Sequence, residues 1–278
     1  RKYTQDLWEN NSNPSSQTPF VTSTVNIEEN DRRTPINYVL PPGIDRTVDP
    51  SNPQLRQLNE QAYSIKVIDL GNADARAVYK TLNMDMRNYK RLKMHIHAEA
   101  LEGYPLEDNQ MSAFIRIGSD YEDNFYEYEI PLKLTPHGTY ADNNETDRYA
   151  VWPEENELDI PLEVFTKAKL ARNDAKRVAG SAVTLQTIYS ISDPDKINNK
   201  VRIKGNPSLG NVVTMMIGLR AHGAGVKSAE IWINELRLTD FNEKGGWAAR
   251  GRTTIKLADL GSIQAAGEYS SVGFGSID

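Results

Sequence analysis

The feature that most constrains this chain is a two-residue alternation of apolar and polar side chains, which recurs in short segments separated by turns. Residues 91–100 show it most clearly, with apolar side chains at Met94, Ile96, Ala98 and Ala100. A β-strand directs successive side chains to opposite faces, so this alternation predicts a strand with one buried face. The same reasoning predicts strands at residues 64–70, 112–118, 124–134, 183–191, 212–220 and 229–239.

Helical patterns are short by comparison. They occur at residues 74–82 and 162–171, and Pro161 leads into the second of these. Many strands, long loops and few helices predict a mainly β fold, namely an antiparallel β-sandwich.

The last predicted strand of the sandwich has a break in its alternation. Two pairs of apolar residues fall on opposite faces: Ile231 and Ile233, then Leu236 and Leu238. A β-bulge at residues 234–235 reconciles the two pairs, and Trp232 is predicted to be buried on either face. This segment resembles the closing strand of jelly-roll domains of the galactose-binding-like kind.

The chain divides into three zones by composition. Residues 1–61 are rich in Pro and Asn, which predicts an extended segment packed on neighbouring structure rather than a central strand. Residues 62–241 hold the predicted sandwich. Residues 242–278 are rich in Gly and contain two amphipathic strands, 247–258 and 262–273, joined by a turn at 259–261. Such a pair fits either an outer-membrane β-hairpin or an ordinary soluble hairpin.

Composition excludes several classes of protein. The 278 residues include no cysteine, which excludes disulfide scaffolds, thiolate zinc sites and cysteine nucleophiles. A net charge of −6 without a basic run argues against nucleic acid as a partner. The longest apolar run, at residues 212–219, is far shorter than the roughly 20 residues of a membrane helix. Because the chain opens at Arg1, we expect it to be a piece of a longer or processed protein.

The most site-like cluster lies on the strand at residues 91–100. His95, His97 and Glu99 project from the same face, and paired imidazoles of this spacing bind zinc or iron when a third ligand is present. The other histidines, His137 and His222, have no motif that ties them to this strand. The favoured interpretation is therefore a solvated or half-buried polar face beside Lys93, with no metal and no cofactor.

Acidic residues are abundant, and two of them across a cleft would suit a glycosidase. They are Asp120, Glu122, Asp123, Glu127, Glu129, Asp142, Asp147, Glu154, Glu155 and Glu157. Their positions predict solvent-facing strand sites and acidic loops, so solubility is the favoured role, with a structural calcium ion in the loops as an alternative. No nucleophile-elbow, dinucleotide or phosphate-loop motif occurs, so no catalytic residue and no enzymatic activity are predicted.

A cluster of aromatic residues suggests a second kind of site. Its members are Tyr121, Phe125, Tyr126, Tyr128 and Tyr140. On an exposed sandwich face they would stack against sugar rings, whereas in the interior they would pack across strands, and packing is the commoner use.

Three motifs, in order along the chain, resemble the SprA/Sov family of outer-membrane translocons for type IX secretion and gliding in Bacteroidetes. They are RTPINYVLPPGI at residues 33–44, AVWPEEN at 150–156 and WINELRLTDF at 232–241, the last leading into GGWAA at 245–249. Family members are far longer than this chain, so the resemblance implies an internal fragment of one. No catalytic residues are carried over from the family.

The resemblance implies a large β-barrel that passes folded cargo across the outer membrane. Its expected partners are other parts of the same protein, a PorV-like shuttle protein, a periplasmic plug protein and secreted cargo. Because outer-membrane barrels have short periplasmic turns and long extracellular loops, the sandwich is expected on the extracellular side, with the periplasmic side as the alternative. The functional hypotheses are a structural cap domain of the translocon, a cell-surface carbohydrate-binding module and, third, a jelly-roll hydrolase.

Overall fold

The computed structural model describes residues 2–3, 20–48, 57–241, 248–256 and 262–270. The chain divides into two units, residues 1–240 and residues 241–278. The described residues of the first unit contain twelve strands, in chain order: β1 (Lys2–Tyr3), β2 (Phe20–Asn26), β3 (Gln61–Leu70), β4 (Ala75–Met84), β5 (Arg91–Ala100), β6 (Met111–Gly118), β7 (Phe125–Pro131), β8 (Leu158–Pro161), β9 (Tyr189–Ser192), β10 (Lys200–Lys204), β11 (Val212–Ala221) and β12 (Lys227–Thr239).

These strands form two antiparallel sheets, which confirms the predicted sandwich. The larger sheet has seven strands in the order β1-β4-β11-β6-β7-β10-β9, and the smaller has five in the order β2-β3-β12-β5-β8. Consecutive strands lie in different sheets at β1/β2, β3/β4, β4/β5, β5/β6, β7/β8, β8/β9 and β11/β12. Eight of these strands form a jelly roll. Its two layers have the strand orders β4-β11-β6-β7 and β3-β12-β5-β8.

The closing strand β12 contains the predicted bulge. Its register with β5 shifts between Asn234 and Arg237, and Glu235 has a φ of 53°, in the left-handed region. The shift returns Leu238 to the sandwich interior while Trp232, on the opposite face, remains fully buried. The predicted burial of Trp232 is thus confirmed.

The core between the sheets is formed by the predicted alternating residues. Met94, Ile96 and Ala98 of β5 are buried there with Ile115 and Ile117 of β6. A helix, α2 (Glu163–Arg177), is longer than the predicted 162–171 and covers one end of this core through Phe165. Pro161 ends β8, two residues before the helix, rather than occupying its first turn.

Other sequence-based assignments are wrong or incomplete. Residues 74–82 are not helical, because β4 pairs with β11 along nearly its whole length and buries Ala75 and Ala77. The strand predicted at 183–191 is reduced to β9, which starts at Tyr189. Strands β8 and β10 and the short helix α1 (Glu145–Val151) were not predicted. These short elements depend on pairing and capping partners rather than on a periodic pattern of their own.

The second unit contains the two strands β13 (Ala248–Lys256) and β14 (Ser262–Ser270), which pair antiparallel. Their register places Gly251 opposite Gly267 and Ile255 opposite Ile263. Side chains at 248–254 and 264–269 are exposed within the chain. The predicted turn at 259–261, Trp247 and the end of the second predicted strand lie outside the described residues.

Candidate functional site

Residues 33–44, called here the covering segment, lie across the outer face of the five-stranded sheet. Ile36, Tyr38 and Val39 are completely buried in a cluster that includes Trp152 and Trp232. The predicted extended segment therefore forms part of the folded unit, as an additional layer over this sheet.

Hydrogen bonds hold the covering segment to the residues on either side of α1. The Asn37 amide donates to the Tyr140 carbonyl at 2.8 Å and accepts from the Tyr140 N–H at 2.7 Å. The Leu40 N–H donates to Asp142 at 2.7 Å, and the Trp152 indole N–H donates to the Val39 carbonyl at 2.8 Å. These bonds satisfy backbone groups that burial would otherwise leave unpaired.

One arginine joins the covering segment to the sheet beneath it. The Arg33 guanidinium contacts Glu99 of β5 at 2.6 Å and Glu230 of β12 at 2.9 Å, and it lies 5.1 Å from the Trp232 ring centre. Glu230 also accepts from Ser64 at 2.8 Å and from the Trp232 indole N–H at 3.0 Å. Both buried carboxylates therefore have charge-assisted partners.

His97 completes this buried group. Its Nδ1 lies 2.8 Å from the Val151 carbonyl, which only accepts, so Nδ1 carries a proton. Nε2 then faces the Glu99 carboxylate at 3.5 Å, and the imidazole stacks on Trp232 with ring centres 3.9 Å apart. The His97 imidazole therefore makes its packing and polar contacts inside the chain.

The ionisation of this group follows from two opposing effects. Burial raises the pKa of Glu99, but hydrogen bonds and charge from His97 and Arg33 more than offset it and hold that pKa below its usual value. Burial likewise lowers the pKa of Arg33, and the two carboxylates reverse this, so its pKa is raised. Glu99 and Arg33 are therefore both charged at neutral pH.

The prediction of a half-buried polar face on β5 is only partly right. His95 is partly exposed, and burial and the nearby Arg237 lower its pKa. His97 and Glu99 are completely buried because the covering segment lies on them. Among the described residues, no three histidine or carboxylate side chains converge so that they could hold a metal ion.

A second ionic cluster lies on the outer face of the seven-stranded sheet. Glu127 of β7 accepts from Arg116 at 2.7 Å and from Arg202 and Arg220 at 3.0 Å each. Glu129 pairs with Arg202 and Arg220 as well. The prediction that these two glutamates face solvent is wrong, since both are buried among arginines from other strands of the same sheet.

The electrostatics of this second cluster resemble those of the first. Burial raises the pKa of Glu127 and Glu129, but the surrounding guanidinium groups outweigh it, so both pKa values are lowered. The Arg116 and Arg220 guanidinium groups also lie over aromatic rings, 4.1 Å from the centre of Phe125 and 4.7 Å from that of Phe114.

One trio at this cluster has the residue types of a hydrolase triad. Ser112 Oγ lies 2.8 Å from His222 Nε2, and Glu129 lies 3.1 Å from the same nitrogen. A catalytic triad needs the nucleophile and the orienting carboxylate on opposite ring nitrogens. Because both partners meet Nε2, and Ser112 is buried, this arrangement does not activate the serine.

Three of the loop carboxylates, and His137, also have contacts inside the chain. Asp120 accepts hydrogen bonds from three successive backbone N–H groups, at residues 122–124, and so caps a turn. Asp142 and Asp147 likewise accept from the backbone N–H groups of Leu40 and Ala141. The exposed His137 contacts the Ala100 carbonyl at 2.9 Å. These three loop carboxylates thus act as hydrogen-bond acceptors that stabilise the conformations of the loops.

The aromatic cluster is divided between interior and surface. Tyr126 and Tyr128 lie in the core beside Phe165, and Phe125 is buried beneath Arg116. Tyr128 donates a hydrogen bond to Asp193 at 2.5 Å, and Asn199 donates to the Tyr128 hydroxyl at 3.0 Å. Only Tyr121 and Tyr140 are partly exposed, so the five rings do not form one exposed stacking face.

The geometry thus describes a framework with two buried ionic clusters. The chain matches the family model for a motility related/secretion protein over residues 1–278. The chain belongs to the SprA family of motility-related and secretion proteins. Comparison with curated proteins gives no significant match. In the part of the chain that the structure describes, neither helix is long and apolar enough to cross a membrane.

Proposed function

We propose that this member of the SprA family is a non-enzymatic structural domain that caps or shapes the pore of an outer-membrane protein-secretion translocon. The wider machine is the type IX secretion and gliding system to which the SprA/Sov resemblance points. Family membership supports the secretion and motility role. The covering segment, held over the sandwich by Arg33, is the single observation that carries the structural role.

A cap at the edge of a pore must be rigid and needs no catalytic residues. Here Arg33 and Glu99 come from parts of the chain that are 66 residues apart, and their pairing fixes one outer face. The trio around His222 lacks triad geometry, which favours a structural role over hydrolysis. The burial of Tyr126 and Tyr128 gives the carbohydrate-binding alternative no support.

The proposed setting is the extracellular side of the outer membrane. Other parts of the same long polypeptide would surround the sandwich, and a PorV-like shuttle, a plug protein and secreted cargo would be its partners. Because the chain has no cysteine, one label site is easily introduced. Ile197 is suitable, since 70% of its surface is exposed.

The location is tested by labelling the full-length protein, carrying Ile197→Cys, in intact cells with a membrane-impermeant maleimide. The parent without the new cysteine is the control. Labelling of intact cells is expected. Labelling only after the outer membrane is permeabilised would place the domain in the periplasm and contradict an extracellular cap.

The cap role is tested by deleting residues 20–240 from the full-length protein. We expect the pore to lose its cover, so that cells take up a large hydrophilic antibiotic more readily while the rest of the protein is still inserted. Uptake equal to that of the parent, with normal cargo secretion, would show that the domain neither covers nor shapes the pore.

A further inference from the structure

The sandwich is open at one corner, where its two sheets separate. A groove of about 860 Å³ lies there between β3 and β12 of one sheet and β4 and β11 of the other. This volume falls within the range of about 300–1,000 Å³ that small-molecule sites in proteins occupy. The apolar lining is incompletely covered, with some side chains half-buried and others exposed: Val78, Leu82, Met84, Met215, Ile217 and Leu236.

A lysine interrupts the apolar row on one wall of this groove. Every second residue of β4 from Val78 to Met84 lines the groove, and the second of these is Lys80. Val78 and Leu82, on either side of it, pack against the core between the sheets, so Lys80 projects from the same inward face of β4. Its direct partner in β11 is Met215, another lining residue. The groove thus combines an apolar wall with one inward-directed ammonium group.

This ammonium group has no counter-ion in the described part of the chain. Lys80 forms neither an ion pair nor a hydrogen bond with a described residue. The other two charged side chains of the lining, Glu235 and Arg237, lie 3.6 Å apart and neutralise each other. The groove therefore has one unbalanced positive charge, which complements a single anionic group on a ligand.

The remainder of such a ligand has to be apolar and poor in hydrogen-bonding groups. Three of the four strands that form the groove, β3, β11 and β12, have a neighbouring strand on both sides, so their backbone groups are used within the sheets. Peptide amides in the groove would lose their hydrogen bonds with water and find few replacements, whereas methylene groups lose none. Met84 and Met215 have flexible side chains that adapt to the shape of a hydrocarbon chain.

We propose that this groove binds a long-chain carboxylate, the anion of a fatty acid. The hydrocarbon chain would lie against Val78, Leu82, Met215 and Ile217, and the carboxylate would accept a hydrogen bond from the Lys80 ammonium group. Each methylene group removed from water adds to the affinity, and the single carboxylate balances the single unpaired charge.

This inference goes beyond the proposed cap role and does not depend on it. Fatty-acid binding is measured on the 278-residue chain by itself, whether or not the domain covers a pore. Failure of one proposal therefore leaves the other to be decided by its own experiment.

The test is equilibrium dialysis of the 278-residue chain against radiolabelled hexadecanoate below its critical micelle concentration. Methyl hexadecanoate has the same hydrocarbon chain without the charge, and hexadecylamine has it with a positive charge. We expect saturable binding of one hexadecanoate per chain. Methyl hexadecanoate should bind at least about tenfold more weakly, because it lacks a hydrogen bond between charged groups, and hexadecylamine should bind more weakly still.

The variant Lys80→Met tests the role of the charge, because methionine retains an unbranched apolar side chain. It should weaken hexadecanoate binding at least about tenfold and leave methyl hexadecanoate binding unchanged. Lys66→Met is the matched control, since Lys66 lies on β3, does not line the groove and has no ion-pair partner among the described residues. It should leave the binding of both ligands unchanged.

A second pair of variants tests whether the groove holds the hydrocarbon chain. Leu236→Glu places a charge in the groove and should weaken the binding of hexadecanoate and of its methyl ester. Val226→Glu makes a similar change outside the groove, at a residue 58% exposed against 40% for Leu236, and should change neither. Circular dichroism establishes that all variants are folded.

Several outcomes would overturn the proposal. One is the absence of saturable hexadecanoate binding. Equal binding of the acid, the ester and the amine, or hexadecanoate binding that Lys80→Met does not weaken, would exclude recognition of a carboxylate by Lys80. Binding to vesicles that contain hexadecanoate, but not to the dissolved anion, would indicate a membrane surface instead. Binding only by a chain that lacks residues 1–19 would assign the groove to the amino-terminal residues of the chain itself.

Discussion

The two outer faces of the sandwich bury charge in different ways. On the five-stranded sheet, Glu99 and Glu230 are neutralised by Arg33, which is 66 residues from the first and 197 from the second. On the seven-stranded sheet, Glu127 pairs with Arg116 across a hairpin, 11 residues away, with Arg202 of the adjacent strand β10, 75 residues away, and with Arg220 of β11, 93 residues away. The arginine partners of Glu127 therefore all lie on strands of the same sheet as Glu127 itself.

This difference determines what each face depends on. The ion pairs of Glu127 form as the strands of its own sheet assemble, because Arg116 and Arg202 are its direct partners in the two adjacent strands and Arg220 lies one strand further away. The carboxylates of the five-stranded sheet need a distant segment to close over them, and removing one partner of a buried pair leaves an uncompensated charge. The outer face of the five-stranded sheet is therefore stable only when the covering segment lies over it.

The largest expected effect is at Trp232, which contacts both Tyr38 and Trp152 beneath the covering segment and the ionic group around Arg33. Trp232→Ala removes a fully buried side chain and should lower the free energy of unfolding by about 3–5 kcal/mol. Urea unfolding measures this. Tyr104→Ala, at a residue 41% exposed, is the control and should change stability by less than about 0.5 kcal/mol. Equal effects of the two changes would contradict the core position of Trp232.

Arg33→Ala tests the dependence of the covered face on its remote partner. The change leaves Glu99 and Glu230 buried without a guanidinium group and should cost about 3 kcal/mol. The neighbouring Arg32, whose side chain is 93% exposed, provides a matched control, and Arg32→Ala should be nearly neutral. Hydrogen exchange should quicken at residues 33–44 in the Arg33 variant, with little change in β6 and β7.

Acid should weaken both faces. The pKa values of Glu99, Glu127 and Glu129 are lowered in the folded chain from a usual value of 4.5. A lowered pKa contributes stability that is present above the unfolded value and is lost as pH falls through the folded one. Unfolding free energies should therefore hold between about pH 7 and about pH 5 and fall below about pH 4.5.

Glu99→Gln separates the two faces in this titration. The variant should be less stable than the parent at neutral pH and should lose less stability on acidification, because one of the three carboxylates no longer titrates. A parent whose stability is constant down to about pH 3 would contradict the assignment of lowered pKa values.

The smallest effect is expected from removing the second unit. A chain that ends at Asn242 lacks β13 and β14, and the jelly roll is complete by Thr239. Its unfolding should remain cooperative and within about 1 kcal/mol of the parent. Loss of cooperative unfolding would show that residues 243–278 belong to the folded core.

The alternation of the sequence predicted the sandwich because period-two patterns report directly on strands with one buried face. It failed at residues 74–82, where Ala75, Ala77 and Val78 also fit a helix and only pairing with β11 decides for a strand. Gly218 of β11 leaves room for this approach, since a Cβ there would meet Ala77 at 2.5 Å.

The ionic clusters could be predicted only in part. That His97 and Glu99 share a face follows from their spacing, and the structure places them in contact. Their complete burial could not be inferred, because it depends on Arg33 and on Val151 at the end of α1. Glu127 and Glu129 were likewise predicted to lie on the surface, because the sequence alone does not show that arginines from three other strands cover them.

A double-mutant cycle between Arg33 and Glu99 tests most directly whether the covering segment is held by this buried pair. Unfolding free energies are measured for the parent, Arg33→Ala, Glu99→Gln and the double variant. We predict a coupling energy of about 2 kcal/mol, because either change alone already breaks the pair. Costs of the two single changes that add to within about 0.5 kcal/mol would show that Arg33 and Glu99 act independently, and would contradict this account.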